Sequence, residues 1–552
     1  MQKNDEFELE ITDMSTDGEG IGQANGMAFF VKGTAVGDVI LAGVTKLKKN
    51  YGYARIVRMI KPSPDRVEPA CPIASRCGGC TLQHISYAAQ LKLKQKKVFD
   101  ALNRLGGIEA ERFIFDTDGE DGYDRDGSGF YGAAGEDGNG ENAGWARYTI
   151  GEEGNVRNSI RFYNIIGMDA PFHYRNKGQF PVGNDKNGNT VCGFYAAHSH
   201  DIVDTGSCLL QHEITDALMA AVREYMAENN IKNPIIRHVL TRVGFTTHEI
   251  MVCIVIAADK LPHAESLVAH LSGAVEEYNR AHNADYCLNS VSFNINKENT
   301  NVILGEKVVT IAGLPFITDY IGNTQYRISP LSFYQVNPVQ TEELYATALE
   351  FADPAPEDTV WDLYCGIGTI SLYFAPYVKQ VYGIEIVPQA IEDAKENAKL
   401  NGITNADFYC GAAEELFPKL LAETGAETPN LAETGREIRD LTEQGRQTPD
   451  IVVVDPPRKG CDASLIECLG NLSPRKIVYV SCDPATLARD IKLLGGYGYH
   501  LIKVQPVDMF PQTYHCESIA LLQRMSNTRK ATITLDVEME EYHRIMGDRT
   551  DD

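Results

Sequence analysis

Val360-Trp-Asp-Leu-Tyr-Cys-Gly-Ile-Gly-Thr-Ile-Ser371 decides the fold of the C-terminal part of this chain. Val360 to Tyr364 reads as a short apolar strand, Cys365 to Gly368 as a glycine turn, and the apolar run beyond as the start of a helix. That succession opens a doubly wound α/β sheet, which binds ligands at the carboxyl ends of its strands. Outward from it, three more apolar strands end in chemistry-bearing residues. Val381-Tyr-Gly-Ile384 ends in Glu385, Ile451-Val-Val-Val454 in Asp455-Pro-Pro-Arg-Lys-Gly460, and Lys476-Ile-Val-Tyr-Val480 in Ser481-Cys482-Asp483-Pro484.

The glycines Gly366 and Gly368 let the backbone turn tightly beneath a ligand. An acidic residue about 20 positions later, here Glu385, accepts hydrogen bonds from a ribose diol. Thr369 and Ile370 stand where a dinucleotide fingerprint has its third glycine. The reading therefore moves from NAD toward S-adenosylmethionine, which has no pyrophosphate to cradle. Adenine-N6 methyltransferases carry a loop like 455–460 that ends in an aromatic residue. Arg458 in that place disfavours methylation of an amino group.

Cys482 puts a thiol at the same sheet edge. Uracil C5 is too weak a nucleophile to take a methyl group unaided, and thiolate addition at C6 gives it carbanion character. A base must then remove the C5 proton so that the thiol can leave. Glu517, just before the apolar run Ile519-Ala-Leu-Leu522, is the base candidate, with His515 a second. Upstream, Ser332-Phe-Tyr-Gln335-Val-Asn337 offers amides to a cofactor or a base.

The N-terminal half has a different texture. Residues 6–60 alternate short apolar bursts with glycine turns, which predicts a small β-barrel. Cys71, Cys77 and Cys80 form a compact cluster, followed by a helix over 87–105. Residues 116–160 hold 11 acidic and 3 basic side chains with few apolar ones, which predicts a disordered insertion. Residues 161–320 read as mixed α/β. Three polar ten-residue units at 421–450 read as an expanded surface loop.

The 552 residues carry a formal charge of −25, which on its face argues against nucleic acid. The acid is uneven: 116–160 contributes −8, 421–449 contributes −3 and 526–552 contributes −3, leaving −11 for the rest. RNA affinity would therefore come from local basic patches. Thirteen cysteines are too few for a disulfide scaffold in a chain of this length. No apolar run approaches the ~20 residues of a membrane helix, and the polar N-terminus resembles no signal peptide, so a cytoplasmic protein without a membrane partner is expected.

Together, FYQVN (333–337), DLYCGIGT (362–369), DPPRKG (455–460), SCDPATLARD (481–490) and MFPQTYHCE (509–517) resemble the RNA uracil-C5 methyltransferases. The resemblance implies Cys482 as nucleophile and Glu517 as base. It also implies contacts to S-adenosylmethionine from Gln335, Tyr364, Gly366, Thr369, Glu385 and Asp455. Ala412 departs from the pattern, since some relatives carry an Asn there that contacts the cofactor. Residues 1–62 resemble a TRAM domain, an RNA-binding β-barrel. Tyr174-Arg-Asn-Lys177 and Gly193-Phe-Tyr195 resemble the central domain, which also contacts RNA. Cys208 is where such relatives place a fourth thiol ligand. Four thiolates suit zinc or a [4Fe–4S] cluster, and the resemblance favours [4Fe–4S].

The expected organisation is multidomain. It comprises the barrel (1–62), a cysteine loop and helix (63–108), the acidic insertion (109–160) and a central α/β domain (161–328). A Rossmann-like methyltransferase domain (329–525) with its insertion at 421–450 and an acidic tail (526–552) complete it. The expected substrate is 23S ribosomal RNA, because transfer-RNA enzymes of this kind are expected to lack the barrel and the cysteine cluster. The protein is expected to act as a monomer. The rivals are a cytosine-C5 methyltransferase, which uses the same thiol logic, and a non-catalytic RNA-binding protein that keeps the fold.

Overall fold

The computed structural model describes residues 1–115, 159–197, 199–231, 234–298, 302–422 and 449–524. The acidic insertion from 116 to 158, residues 423–448 of the repeat units and the tail lie outside them.

Short strands rich in Val, Ile and Phe and broken by glycine turns give the N-terminal unit six strands. The sheet order is Glu6–Glu10, Val39–Leu47, Tyr51–Lys61, Met27–Val31, Gly20–Ala24 and Asp13–Met14. Phe29, Val31, Ile40 and Val44 fill its own small core. Asp38, fully buried, joins this unit to the next segment. It accepts from the backbone N–H of Ser63 at 2.8 Å and pairs with Arg66.

The central unit is a seven-stranded sheet whose middle strand is Ile236–Val243, with Glu249–Ile256 beside it. Helices Ile214–Glu228 and Ala264–His282 cover one face, burying Leu218, Val222, Leu267 and Leu271 against Val239, Ile250 and Ile254.

The C-terminal sheet has nine strands. Its order is Ala406–Cys410, Gln380–Glu385, Thr359–Leu363, Ile451–Val454, Lys476–Ser481, Glu517–Arg524, Tyr499–Val507, Ile160–Phe162 and Phe113–Phe115. The first five run parallel, and Glu517–Arg524 is antiparallel to both its neighbours. The order reverses beside Thr359–Leu363, so the glycine loop stands at the switch point where such sheets bind ligands.

The two outermost strands differ from the sequence reading. The insertion expected to be disordered, 109–160, takes in Phe113–Phe115 and Ile160, yet both stretches are strands. They pair in parallel with each other, and Ile160–Phe162 pairs with Tyr499–Val507. Phe113, Phe162 and Phe99 of the helix Tyr87–Asp100 pack edge to face. Three-residue strands carry too little periodicity to be seen beside a long polar stretch.

Candidate active site

Parallel pairing brings the ends of four strands to one edge. Tyr364 leaves Thr359–Leu363 with φ at +145°, a strained value for a residue with a side chain. Gly366 and Gly368 follow at +56° and +82°. A Cβ on Gly366 would meet nothing within 4 Å, so the loop faces open space. Glu385, at the end of the neighbouring strand, accepts from the N–H of Gly366 at 3.3 Å and of Val387 at 2.9 Å. Those bonds fix an acidic side chain beside the glycine loop. Thr369 is held by two buried tyrosines: Tyr345 donates to its Oγ1 and Tyr326 to its carbonyl, each at 2.9 Å. Gln335 is buried, and its main-chain carbonyl accepts from Asn176 of the central sheet at 2.9 Å. The carbonyl of Ala412 is used within the protein, accepting from Glu415 and Leu416 at the start of a helix.

Cys482 follows the strand Lys476–Ser481. Asp483 caps the next helix, Pro484–Gly495, with its carboxylate accepting from Ala485 at 2.8 Å. Ser481 pairs in register with Ser518, so Cys482 and Glu517 are neighbours across two adjacent strands. Glu517 is buried, whereas Cys482 is only half-buried.

The electrostatics of this edge are unusual. Burial pushes Glu517 up to about 8, with Asp455 adding to the rise. Burial likewise raises Asp455 to about 7, with Asp362 contributing. The Cys482 thiol is pushed up to about 11 by burial and then by Glu517 and Asp455; Arg458 opposes the shift. A helix N-terminus normally lowers a thiol, but here desolvation and two carboxylates outweigh it. Burial drives His515 down to about 4. His515 is therefore a poor base beside Glu517, whose conjugate acid holds its proton near neutrality.

The loop that carries Glu517 is tied down on every side. Thr81 and Leu82 both donate backbone N–H to Gln512, Tyr174 donates to Pro511 at 3.0 Å, and Asn337 donates to Met509 at 3.1 Å. Beneath it, Lys94 and Asp508 form a buried ion pair at 2.5 Å, and Tyr87 donates to the same carboxylate. These anchors were missed in the sequence because their partners lie far apart along the chain, 172 positions for Asn337 and Met509 and 421 for Tyr87 and Asp508. Asp362 was also missed. It is fully buried in the strand, accepts from Ser371 at 2.7 Å, and is raised to about 7 by burial. Its signal was a carboxylate inside an apolar strand.

Cys71, Cys77, Cys80 and Cys208 come together from two segments, joined where Gly78 donates to the Tyr195 carbonyl at 2.9 Å. Burial pushes the Cys80 thiol up to about 12, and Cys208, Cys77 and Cys71 add to the rise. The four thiols thus act on one another. Yet among the described residues no group of three or more His, Cys, Asp or Glu is arranged to hold a metal ion. A hollow of about 530 Å³ adjoins this loop, lined by Gly78, Gly79, Phe194 and Tyr195 among others, and it includes none of the residues around Cys482.

A family profile described as tRNA (uracil-5-)-methyltransferase matches residues 170–525, and a TRAM domain profile matches residues 2–57. The chain belongs to the RNA uracil-5-methyltransferase family. This uracil-5-methyltransferase is 40% identical over 537 residues to an uncharacterized RNA methyltransferase of Clostridium tetani, covering 96% of this chain and 99% of the relative. A second such protein, from Halalkalibacterium halodurans, is 40% identical over 530 residues, covering 95% and 98%. Among solved structures, the tRNA (uracil-54, C5)-methyltransferase of Pyrococcus abyssi, in complex with S-adenosyl-L-homocysteine, aligns with a TM-score of 0.62 at 24% identity. It covers 93% of this chain and 99% of its own. Like other members of its family, the enzyme is a methyl-group transferase acting on RNA.

Proposed function

We propose that the enzyme transfers a methyl group from S-adenosylmethionine to C5 of a uridine through a covalent bond between Cys482 and C6. The observation that carries this reading is the pairing of a half-buried thiol with a buried carboxylate across adjacent strand ends. The open face of Gly366 and the fixed Glu385 carboxylate fit the cofactor. Glu385 would hold its ribose, Asp455 and Gln335 would take polar contacts, and Tyr364 and Thr369 would line the site. S-Adenosylmethionine, when bound, supplies an electrophilic methyl group on its sulfonium.

The protein residues do the rest. The half-buried Cys482 gives its proton to solvent, and its thiolate adds to C6, so the ring gains an enolate. C5 takes the methyl group. Glu517 then accepts the C5 proton, and the sulfur–C6 bond breaks to release 5-methyluridine and free Cys482. The base must leave its stack to reach a half-buried thiol.

Cys71, Cys77, Cys80 and Cys208 would hold a [4Fe–4S] cluster with a structural role. The mutual electrostatic effect of the four thiols is what supports this assignment. We also read the N-terminal sheet as a closed barrel, because only Ile11 and Thr12 join the strands at its two edges. A cytoplasmic monomer is the corresponding working form. Among the described residues no helix is long and apolar enough to cross a membrane.

We take 23S ribosomal RNA as the first substrate to test. A second reading, transfer RNA, is favoured by one observation. A solved enzyme named for tRNA spans 93% of this chain, so architecture does not separate the two substrates as the sequence reading expected. The test incubates wild type and Cys482→Ala with unmodified 23S RNA and transfer-RNA transcripts and labelled S-adenosylmethionine, then analyses nucleosides by mass spectrometry. 5-Methyluridine in 23S RNA from wild type alone supports the proposal. Label only in transfer RNA moves the substrate, and 5-methylcytidine overturns the base.

A further inference from the structure

Arg458 sits in a loop whose rigidity nothing in the mechanism above explains. The strand Ile451–Val454 runs parallel to Lys476–Ser481, with Val454 opposite Tyr479. The segment 455–460 therefore emerges beside Ser481 and Cys482. Two prolines fix φ at 456 and 457. Gly460 turns back at φ +77° and donates to the Pro457 carbonyl at 2.8 Å. A Cβ there would meet Arg489 Nη2 at 2.5 Å and Asp490 Oδ2 at 2.6 Å. Arg489 donates to the Lys459 carbonyl at 2.9 Å. The buried Asp490 carboxylate accepts from the Cys461 N–H at 2.8 Å and from the Tyr479 hydroxyl at 2.7 Å. The loop is thus pinned to Pro484–Gly495, the helix that starts next to the nucleophile.

So rigid a loop holds an exposed guanidinium at the mouth of the site. Among the described residues no carboxylate lies within ion-pair distance of Arg458. Its Nη2 lies 3.4 Å from both ring nitrogens of His515. That ring packs against Tyr514 and Phe510 and, with its pKa down at about 4, stays neutral. It backs the guanidinium without repelling it.

We propose that Arg458 is a further catalytic residue, donating hydrogen bonds to the uracil 4-carbonyl oxygen as negative charge collects there. The inference rests on the uracil-C5 reading. As the Cys482 sulfur forms its bond to C6, the C5–C6 π pair moves to C4–C5 and the carbonyl pair moves onto O4. No proton moves, and Arg458 stays charged. The pair then returns through C5 as the bond to the methyl carbon forms and the methyl–sulfur bond breaks. A cation suits the site because Glu517 and Asp455, whenever ionised, would oppose the charge collecting on O4. Arg458 is the cation that opposes the upward shift of both Cys482 and Glu517. Lysines near this edge are committed elsewhere: Lys94 pairs with Asp508, Lys97 donates to the carbonyls of Thr16 and Tyr514, and Lys459 pairs with Asp462.

The test measures covalent adduct formation with substrate RNA carrying 5-fluorouridine, which stops the reaction before release, together with single-turnover methyl transfer. Wild type, Arg458→Ala, Arg458→Lys and Cys482→Ala are compared across pH. Arg458→Ala should form the adduct roughly 100- to 1,000-fold more slowly, the loss seen when one oxyanion donor is removed. KM for S-adenosylmethionine should be unchanged within about threefold. The rise of the rate with pH should move to higher pH, because Glu517 and Asp455 then act on the thiol unopposed. Arg458→Lys or added guanidinium ion should restore part of the rate. Wild-type adduct rates in Arg458→Ala, or a defect confined to RNA affinity, would overturn the inference and leave the uracil reading intact. If wild type itself forms neither adduct nor 5-methyluridine, both fall.

Discussion

Glu517 has two consequences that can be measured apart. As the proposed base that frees Cys482, its loss should stall the reaction after methyl transfer. Glu517→Gln should still methylate one uridine per enzyme but accumulate a protein–RNA adduct stable to denaturing electrophoresis. Prompt release of 5-methyluridine by that variant would assign the base elsewhere. The second consequence is stability. Glu517 is raised from an ordinary 4.5 to about 8, so between those values the folded protein holds a proton that the unfolded chain has released. The folded state then binds more protons, and stability falls as pH rises through that window. Asp362 and Asp455, each near 7, act in the same sense. The unfolding free energy of wild type, read from urea denaturation, should therefore drop from pH 5 to pH 8 by on the order of several kcal/mol in all. Glu517→Gln should show a shallower drop, and equal slopes would refute the shift. At this scale the sequence was informative where a residue ended a strand: Glu385, Asp455, Cys482 and Glu517 all arrive at one edge. Polar groups inside elements, such as Asp362 and Asp490, were not legible, because only packing reveals that they are dry.

The helix Tyr87–Asp100 and the loop ahead of Glu517 act as one element. Lys94 and Asp508 are almost wholly buried, at 1% and 0% side-chain exposure. Removing one partner leaves a bare charge in a dry place, and such losses cost about 3–5 kcal/mol. Lys94→Met should fall in that range by urea denaturation and should slow methyl transfer as the loop loosens. Lys94→Met combined with Asp508→Asn should recover most of the loss, because no unpaired charge is left: the amide oxygen can still accept from the Phe510 N–H, and the NH2 can donate to the Tyr87 hydroxyl. Additive losses in the double variant would show that the pair is not coupled. The helix itself was legible from its lysine-rich amphipathic run. Its role was not, because the sequence shows Lys94 as one of four similar lysines and cannot say which one turns inward. The same limit hid Phe113–Phe115 and Ile160–Phe162, whose pairing to the sheet depends on partners more than 300 residues away.

A chain of net charge −25 that works on RNA must concentrate its cations. The N-terminal unit does so. From Val39 to Lys61 the sequence has six basic residues and no acidic one, and Lys46, Lys48, Lys49, Arg55, Arg58 and Lys61 are all exposed. Phe30, Tyr51 and Tyr53 cluster beside them with ring centroids 5.7 to 5.8 Å apart, offering aromatic faces next to positive charge. Phosphate contacts made by such side chains release counterions, and each one lost lowers the salt dependence of binding. Lys48→Ala combined with Lys49→Ala should weaken RNA binding and reduce the slope of log K against log salt by about 1 to 2. Single-turnover methyl transfer at saturating RNA should be unchanged, because these lysines lie in a different unit from Cys482. The measurement is a salt titration of RNA binding by fluorescence anisotropy, wild type against the double variant. An unchanged slope would place the RNA elsewhere, with the partly exposed Arg175 and Lys177 of the central unit the next residues to test.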